Sequence, residues 1–261
     1  MKTVGLALGG GGARGVAHIA YLQALEQQGI KPSVIAGTSS GAIVGALYAG
    51  GVTPDGMYGM LESLFSAKKR SGLSLVNALK RDGFAGVLAK QFLSKALPKK
   101  TFEELNIPLK LVATDFHTLE EKVFDSGEIL PALMGSIAFP SVFIPQQVGN
   151  GYYVDGGATN IVPFDILRQE CDVLIAIDVS QVRPNATLKP NIKNALHATW
   201  AATQEALISE KLRAAPVDIF ERPTFEDVST MEFFKYKSIY ERAEAYIPGF
   251  VEQLNKSMIK G

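Results

Sequence analysis

The sequence predicts an α/β fold with a largely parallel central sheet, and two observations carry this. Apolar runs of strand length alternate with stretches of helical periodicity along the chain. The 261 residues, 47% hydrophobic and 20% charged, suffice to bury one large core and exclude disordered and collagen-like classes.

"TVGLAL" (3–8) reads as the first strand. Val16, Ile19, Ala20 and Leu25 then keep helical spacing until Gly29, a C-terminal stop. "PSVIAG" (32–37) is a second short strand, followed by a helix of small residues from Gly41 to Ala49. Thr53 and Pro54 supply an N-cap and a first position for the next helix. Further strands are expected at "LKLVATDF" (109–116), "EKVFDS" (121–126), "YYVDG" (152–156), "DVLIAIDV" (172–179) and "VDIFER" (217–222). Between them lie helices at Ile129–Ala138 and Ile192–Arg213, with a terminal helix from Ser229 to Gln253. Pro184 and Pro190 bracket a loop, and no internal repeat interrupts the pattern.

Formal net charge is zero, so nothing in the overall charge calls for a nucleic-acid partner. The single cysteine, Cys171, cannot form an internal disulfide and reads as a core thiol in a reducing compartment. No apolar stretch has the length of a signal peptide or a membrane span, which predicts a cytoplasmic protein, with contact at the inner face of the membrane still open to it. Residues 66–100 stand apart. Lys68, Lys69, Arg70, Lys80, Arg81, Lys90, Lys95, Lys99 and Lys100 face one acid, Asp82, while Phe84, Val87, Leu88, Phe92 and Ala96 share a helical face. Two readings stand: a solvated helix packed on the core, or a basic helical cap that meets an anionic lipid surface.

Four consecutive glycines follow the first strand. Gly10, Gly12 and Gly15 match G-x-G-x-x-G, but the second strand ends in "AGTSSG" without the acid that would hold a ribose. No Gly-Lys-Ser/Thr follows either, so the phosphate-binding readings are weak. What closes the second strand is G-x-S-x-G, Gly37 to Gly41, with Ser39 alone in the frame. A serine on a strained strand-to-helix turn projects its hydroxyl into a site. Neighbouring parallel strands bring both turns to one sheet edge. The N–H groups of Gly10, Gly11 and Gly12 are then expected to face a carbonyl oxygen beside Ser39, on a loop kept bare for the substrate's approach.

Together these residues resemble the patatin-like phospholipase family. "GGGARG" (10–15) resembles its oxyanion loop and "GTSSG" (37–41) its nucleophile elbow. "GSIAFPSVFIP" (Gly135–Pro145) is similar to its serine–alanine–proline segment, and "DGGATNIVP" (Asp155–Pro163) to its catalytic-aspartate motif. The resemblance implies a three-layer sandwich, a variant of the α/β-hydrolase type. It implies a Ser–Asp dyad of Ser39 (nucleophile) and Asp155 (general base), without histidine, cofactor or metal. Gly10, Gly11 and Gly12 would form the oxyanion hole, supported by Arg14, Gly15, Gly37, Gly41, Gly156 and Gly157. The whole chain, 1–261, then reads as a single domain: a catalytic core at 5–168, the cap at 66–100, and 169–261 completing the fold.

The residues themselves point the same way on Asp155, which closes a strand and precedes two glycines. Asp115 and Asp178 also close apolar strands, and are read as surface or capping acids. Asn160 and Pro163 are expected to shape the turn and start the next helix. Of three histidines, His18 follows the oxyanion loop on a helix, His117 lies in a polar turn, and His197 follows Ser39 and Asp155 in triad order but within a helical pattern. Arg14 is read as support for the glycine loop, with binding of a lipid phosphate as the alternative. Phe139, Val142 and Phe143 are candidate walls for an acyl group, or core residues. The implied reaction is hydrolysis of fatty-acyl esters of phospholipids or lysophospholipids through an acyl-serine. Acyl transfer at the same site, or a regulatory adaptor that retains it, are the alternatives; oligomeric state is left open.

Overall fold

β1 (Val4–Leu8) and β2 (Val34–Thr38) are buried at every position, as strands covered on both faces must be. They belong to a computed structural model that describes residues 2–71, 84–140, 142–181, 191–225 and 227–259. After β1 the chain makes a 3-10 turn (Gly12–Val16), then α1 (Ala17–Gln27), β2, α2 (Ser40–Ala49) and α3 (Pro54–Ser71). α4 (Phe84–Ala96) leads to β3 (Leu109–Asp115), β4 (Glu121–Phe124) and α5 (Ile129–Ser136). β5 (Gln146–Val148) and β6 (Gly151–Asp155) form a hairpin; β7 (Val173–Ile177), α6 (Ile192–Ala214), β8 (Ile219–Glu221), α7 (Tyr236–Glu244) and α8 (Ile247–Ile259) follow.

The sheet runs β5-β6-β3-β2-β1-β7-β8, with β4 also on β3. The β3–β2, β2–β1, β1–β7 and β7–β8 pairs are parallel. Residues alternate between its two faces. Leu6 and Leu8 of β1, with Ile175 and Ile177 of β7, join a large core that includes α1, α2 and α8; Ala7, Leu174 and Ala176 join a second core with Phe164 and Ile208. Helices on both faces make the three-layer α/β sandwich that was expected.

Register sets the position of the site. Val112 of β3 pairs with Thr38 on one side and Val123 on the other. The next residue, Ala113, pairs with Asp155 and Lys122. β4 therefore holds one edge of β3 from Leu111 to Thr114, while β2 and β6 share the other edge and meet end to end. Ser39 follows β2 immediately, and Asp155 ends β6.

The structure departs from expectation in three places. β5 is an additional strand, turned back onto β6 at Gly149, whose φ is +59°. The terminal helix is broken into a 3-10 turn (Phe233–Lys235), α7 and α8. Pro248, at the second position of α8, has no N–H to continue α7 but suits a first helical turn. On α4 the side facing the core carries Leu93, with Ala89, Phe92 and Ala96 beside it, and Val87 is exposed instead. Residues 72–83, with Lys80, Arg81 and Asp82, and the side chains of Lys68, Lys69, Arg70 and Phe84, lie outside the described residues, as does the 182–190 loop. No described helix is long and apolar enough to cross a membrane.

Candidate active site

Ser39 sits between β2 and α2 with φ 53° and ψ −118°, a backbone conformation that costs a side-chain-bearing residue roughly 1–3 kcal/mol. The surroundings hold it there. Its carbonyl accepts from Ile43 N–H at 3.2 Å, the first bond of the helix, and its N–H donates to Ser136 Oγ at 3.0 Å. Its hydroxyl donates to Asp155 Oδ2 at 2.7 Å.

Asp155 is 1% exposed. Its Oδ1 accepts from Gly157 N–H at 2.8 Å, and its own N–H donates to Ala138 O at 3.0 Å. Burial pushes its carboxyl up to about 6, against the opposing pull of the Gly157 N–H and the Ser39 hydroxyl. A serine hydroxyl aimed at a carboxylate with raised proton affinity is arranged for transfer of the hydroxyl proton. Ser136 and Ala138, two residues apart, grip the backbones of both partners.

The rival acids are otherwise engaged. Asp115 Oδ1 accepts from His117 and Thr118 N–H at 2.9 and 3.0 Å, capping the turn after β3 as expected. Asp178 is not a surface acid. It is wholly buried, with Oδ2 2.7 Å from Arg222 Nε and Oδ1 accepting from Ser180 N–H and Oγ.

The glycine loop lies against Ser39, but not bare for a substrate. A Cβ on Gly10 would fall 3.0 Å from Ser39 Cβ and 2.6 Å from Ile161 Cδ1; one on Gly12, where φ is +60°, would fall 2.2 Å from Thr230 O. The protein's own atoms, side chain at Gly10 and backbone at Gly12, fill the room a side chain would need. Gly15 and Gly41 are bare likewise, against Ser40 and Leu8 O, as are Gly37 against α2 and Gly156 against Val112 O. The expectation for Gly10 is corrected on a second count: its N–H donates to Ile161 O at 2.9 Å and is already spent. The N–H groups of Gly11 and Gly12 have no partner among the described residues.

Arg14, 4% exposed, braces this loop by donating from Nε to Gly11 O at 3.2 Å and from Nη1 to Gln181 O at 3.0 Å. A trans peptide points its C=O and N–H in opposite directions, so holding Gly11 O fixes where Gly12 N–H points. Burial lowers the Arg14 guanidinium to about 10. His18 is fully buried with Nε2 2.8 Å from Gly9 O. Because a carbonyl only accepts, Nε2 carries the proton, and burial, which lowers the pKa to about 4, keeps the ring neutral. His117 makes edge contacts with Phe116 and Tyr152. His197 lies on α6, and its side chain is outside the described residues.

Thr38 Oγ1 donates to Asn160 O at 2.7 Å, tying the serine's turn to the aspartate's loop, while Asn160 Nδ2 donates to Asp165 Oδ1 at 2.9 Å. Past Pro163 there is only a 3-10 turn (Asp165–Leu167). Phe143 packs on the large core, whereas Phe139 meets Trp200 of α6 edge-on at 5.4 Å. A Cβ on Gly157 would lie 3.2 Å from Trp200 Cζ2. Sequence reasoning missed Ser136 and Trp200. Ser136 lies inside a quoted motif, but nothing local marks Trp200. Among the described residues no three His, Cys, Asp or Glu side chains are grouped to hold a metal ion.

A family model described as patatin-like phospholipase matches residues 6–168. The chain is 27% identical over 285 residues to "Lysophospholipase NTE1" of Kluyveromyces lactis, an alignment covering 98% of this chain and 20% of that protein. It is 33% identical over 197 residues to an "Uncharacterized NTE family protein" of Mycobacterium bovis, covering 72% and 53%. The chain thus spans about a fifth and about half of these relatives' lengths. The crystal structure of VipD from Legionella pneumophila matches with a TM-score of 0.52 at 16% identity, over 95% of this chain and 67% of that one, a likeness of fold alone.

Proposed function

Because the chain belongs to the patatin-like phospholipase family, we propose that it hydrolyses fatty-acyl esters of phospholipids or lysophospholipids, with Ser39 as nucleophile and Asp155 as general base. The observation that carries the reading is the 2.7 Å bond from Ser39 Oγ to a buried carboxylate. Ser39 Oγ attacks the ester carbonyl carbon while its proton passes to Asp155 Oδ2. The oxygen of the tetrahedral adduct takes up negative charge, which in this reading is offset by the start of α2 and by the Gly11 and Gly12 N–H groups, neither of which has a partner among the described residues. Collapse breaks the bond to the alcohol, which leaves with the proton from Asp155. Water then gives a proton to Asp155 and attacks the acyl-Ser39; the bond to Oγ breaks, Oγ takes the proton back from Asp155, and the fatty acid leaves.

The lysophospholipase name of the yeast relatives supports a monoacyl phospholipid as one substrate. The reading includes peripheral contact with an anionic membrane surface through the basic stretch 66–100. A fluorophosphonate probe and a lysophospholipid hydrolysis assay test it together. The probe is expected to label Ser39 alone, and Ser39→Ala to abolish both labelling and fatty-acid release. Release that persists in Ser39→Ala, or labelling without any release from lipid esters, would overturn it.

A further inference from the structure

Ile192 and Leu196 of α6 are 83% and 66% exposed, although both are large and apolar. One turn further on, Trp200 is partly covered. Positions i, i+4 and i+8 form one stripe along a helix, here about 12 Å long. Its inner end reaches the dyad. The point where a Gly157 Cβ would sit lies 3.2 Å from Trp200 Cζ2 and 3.0 Å from Asp155 Oδ1, and Trp200 packs edge-on against Phe139. Its outer end opens to solvent. The stripe lies beyond the segment matched by the family model, 6–168.

We infer that this stripe is the track along which the acyl chain of the ester lies, and that Ile192, Leu196 and Trp200 make the site selective for long acyl chains over short ones. The inference rests on the proposed function only in placing the acyl carbonyl at Ser39. A chain bonded to that carbonyl has to leave the dyad along some wall. On their Cβ side Gly11 and Gly12 are closed off by the backbone of Val179 and Thr230, whereas the Phe139–Trp200 wall is apolar and continues outward along α6. Folding gains nothing from leaving two large apolar side chains in water one turn apart. A methylene row laid on them removes both surfaces from water, and each buried methylene adds about fourfold in affinity.

Trp200 is the chain's single tryptophan, so intrinsic fluorescence reads the inner end of the track directly. The probes are monomeric stearates carrying a nitroxide near the carboxyl end or near the methyl end. Saturable quenching is expected, stronger for the nitroxide near the carboxyl end. The double variant Ile192→Ser/Leu196→Ser should weaken binding at least tenfold. Ile259→Ser, at an 80% exposed position on α8, should leave it as it was. Quenching that does not saturate, that ignores nitroxide position, or that keeps its affinity in the double variant overturns the track. Turnover is read separately on soluble esters of increasing chain length, where the double variant should lose its preference for the longer chains. Intact quenching with no hydrolysis of any ester would strike the hydrolase reading and leave the track standing. A double variant defective only on vesicles would make the stripe a bilayer contact and overturn the track.

Discussion

Replacing Asp155 with asparagine should abolish turnover and make the protein more stable at alkaline pH. The carboxyl is 1% exposed, no cation is among the groups that set its pKa, and that pKa rises from the ordinary 3.8 to about 6. Converted at about 1.4 kcal/mol per pH unit, the difference amounts to about 3 kcal/mol. Its sign follows from proton counting. Between about pH 4 and pH 6 the folded chain keeps a proton that the unfolded chain has released. The stability linked to this group is thus fully present below pH 4 and is lost as pH rises through 6. Asparagine fits the same space, with Oδ1 able to accept the Gly157 N–H and the amide to face Ser39 Oγ, and it buries no charge. Urea unfolding followed by circular dichroism at about pH 4, 6 and 8 gives the comparison. Asp155→Asn should be more stable than the wild type by 1 to about 3 kcal/mol at pH 8, with the gap closing towards pH 4. A gap independent of pH, or a variant less stable at pH 8, would refute the burial argument.

With the dyad as proposed, kcat/KM for a soluble ester should rise with pH and level off above an apparent pKa near 6, as Asp155 ionises; a flat profile from pH 5 to 8 would count against Asp155 as the base. Gly12→Ala combines φ +60° with a Cβ 2.2 Å from Thr230 O, so it should cost at least roughly 1–2 kcal/mol of stability in the same urea assay, besides impairing turnover. Arg14→Ala frees Gly11 O and should lower kcat by up to about 10²–10³-fold, with fluorophosphonate labelling of Ser39 slowed in step; normal turnover would show that the brace is dispensable. Lys90→Gln with Lys95→Gln, both exposed on α4, should weaken binding to anionic vesicles by about fivefold per charge and leave neutral vesicles unaffected.

The strands other than β5, and Ser39, were legible in the sequence because their signals are local: apolar runs of strand length, and a serine framed by glycines at a strand end. Asp155 was legible as a strand end, but its meeting with Ser39 depends on β2 and β6 sharing one edge of β3, a pairing across 116 residues that no local pattern encodes. The glycines were seen and their reason misjudged. Bareness on a page does not say whether substrate or protein fills the space, and here Thr230 and Val179 fill it, from segments far along the chain. Trp200 stayed invisible for a related cause: nothing in the helical pattern of 192–213 sets one face apart, and only tertiary packing carries it to Gly157. The break between α7 and α8 turned on Pro248, which an unbroken helical periodicity conceals.

The junction on β3 also orders events during synthesis. β1, β2 and β3 are complete once residue 115 has emerged, and their parallel pairing fixes the strand from which Ser39 follows. Asp155 arrives 40 residues after β3 ends, and Trp200 later still. Long-range pairings form slowly because the intervening loop must first be closed. A nascent chain halted before β6 therefore holds Ser39 without the Asp155 carboxylate that its hydroxyl meets in the folded protein. On the proposed mechanism, the ability to attack an ester would then appear only when β6 docks.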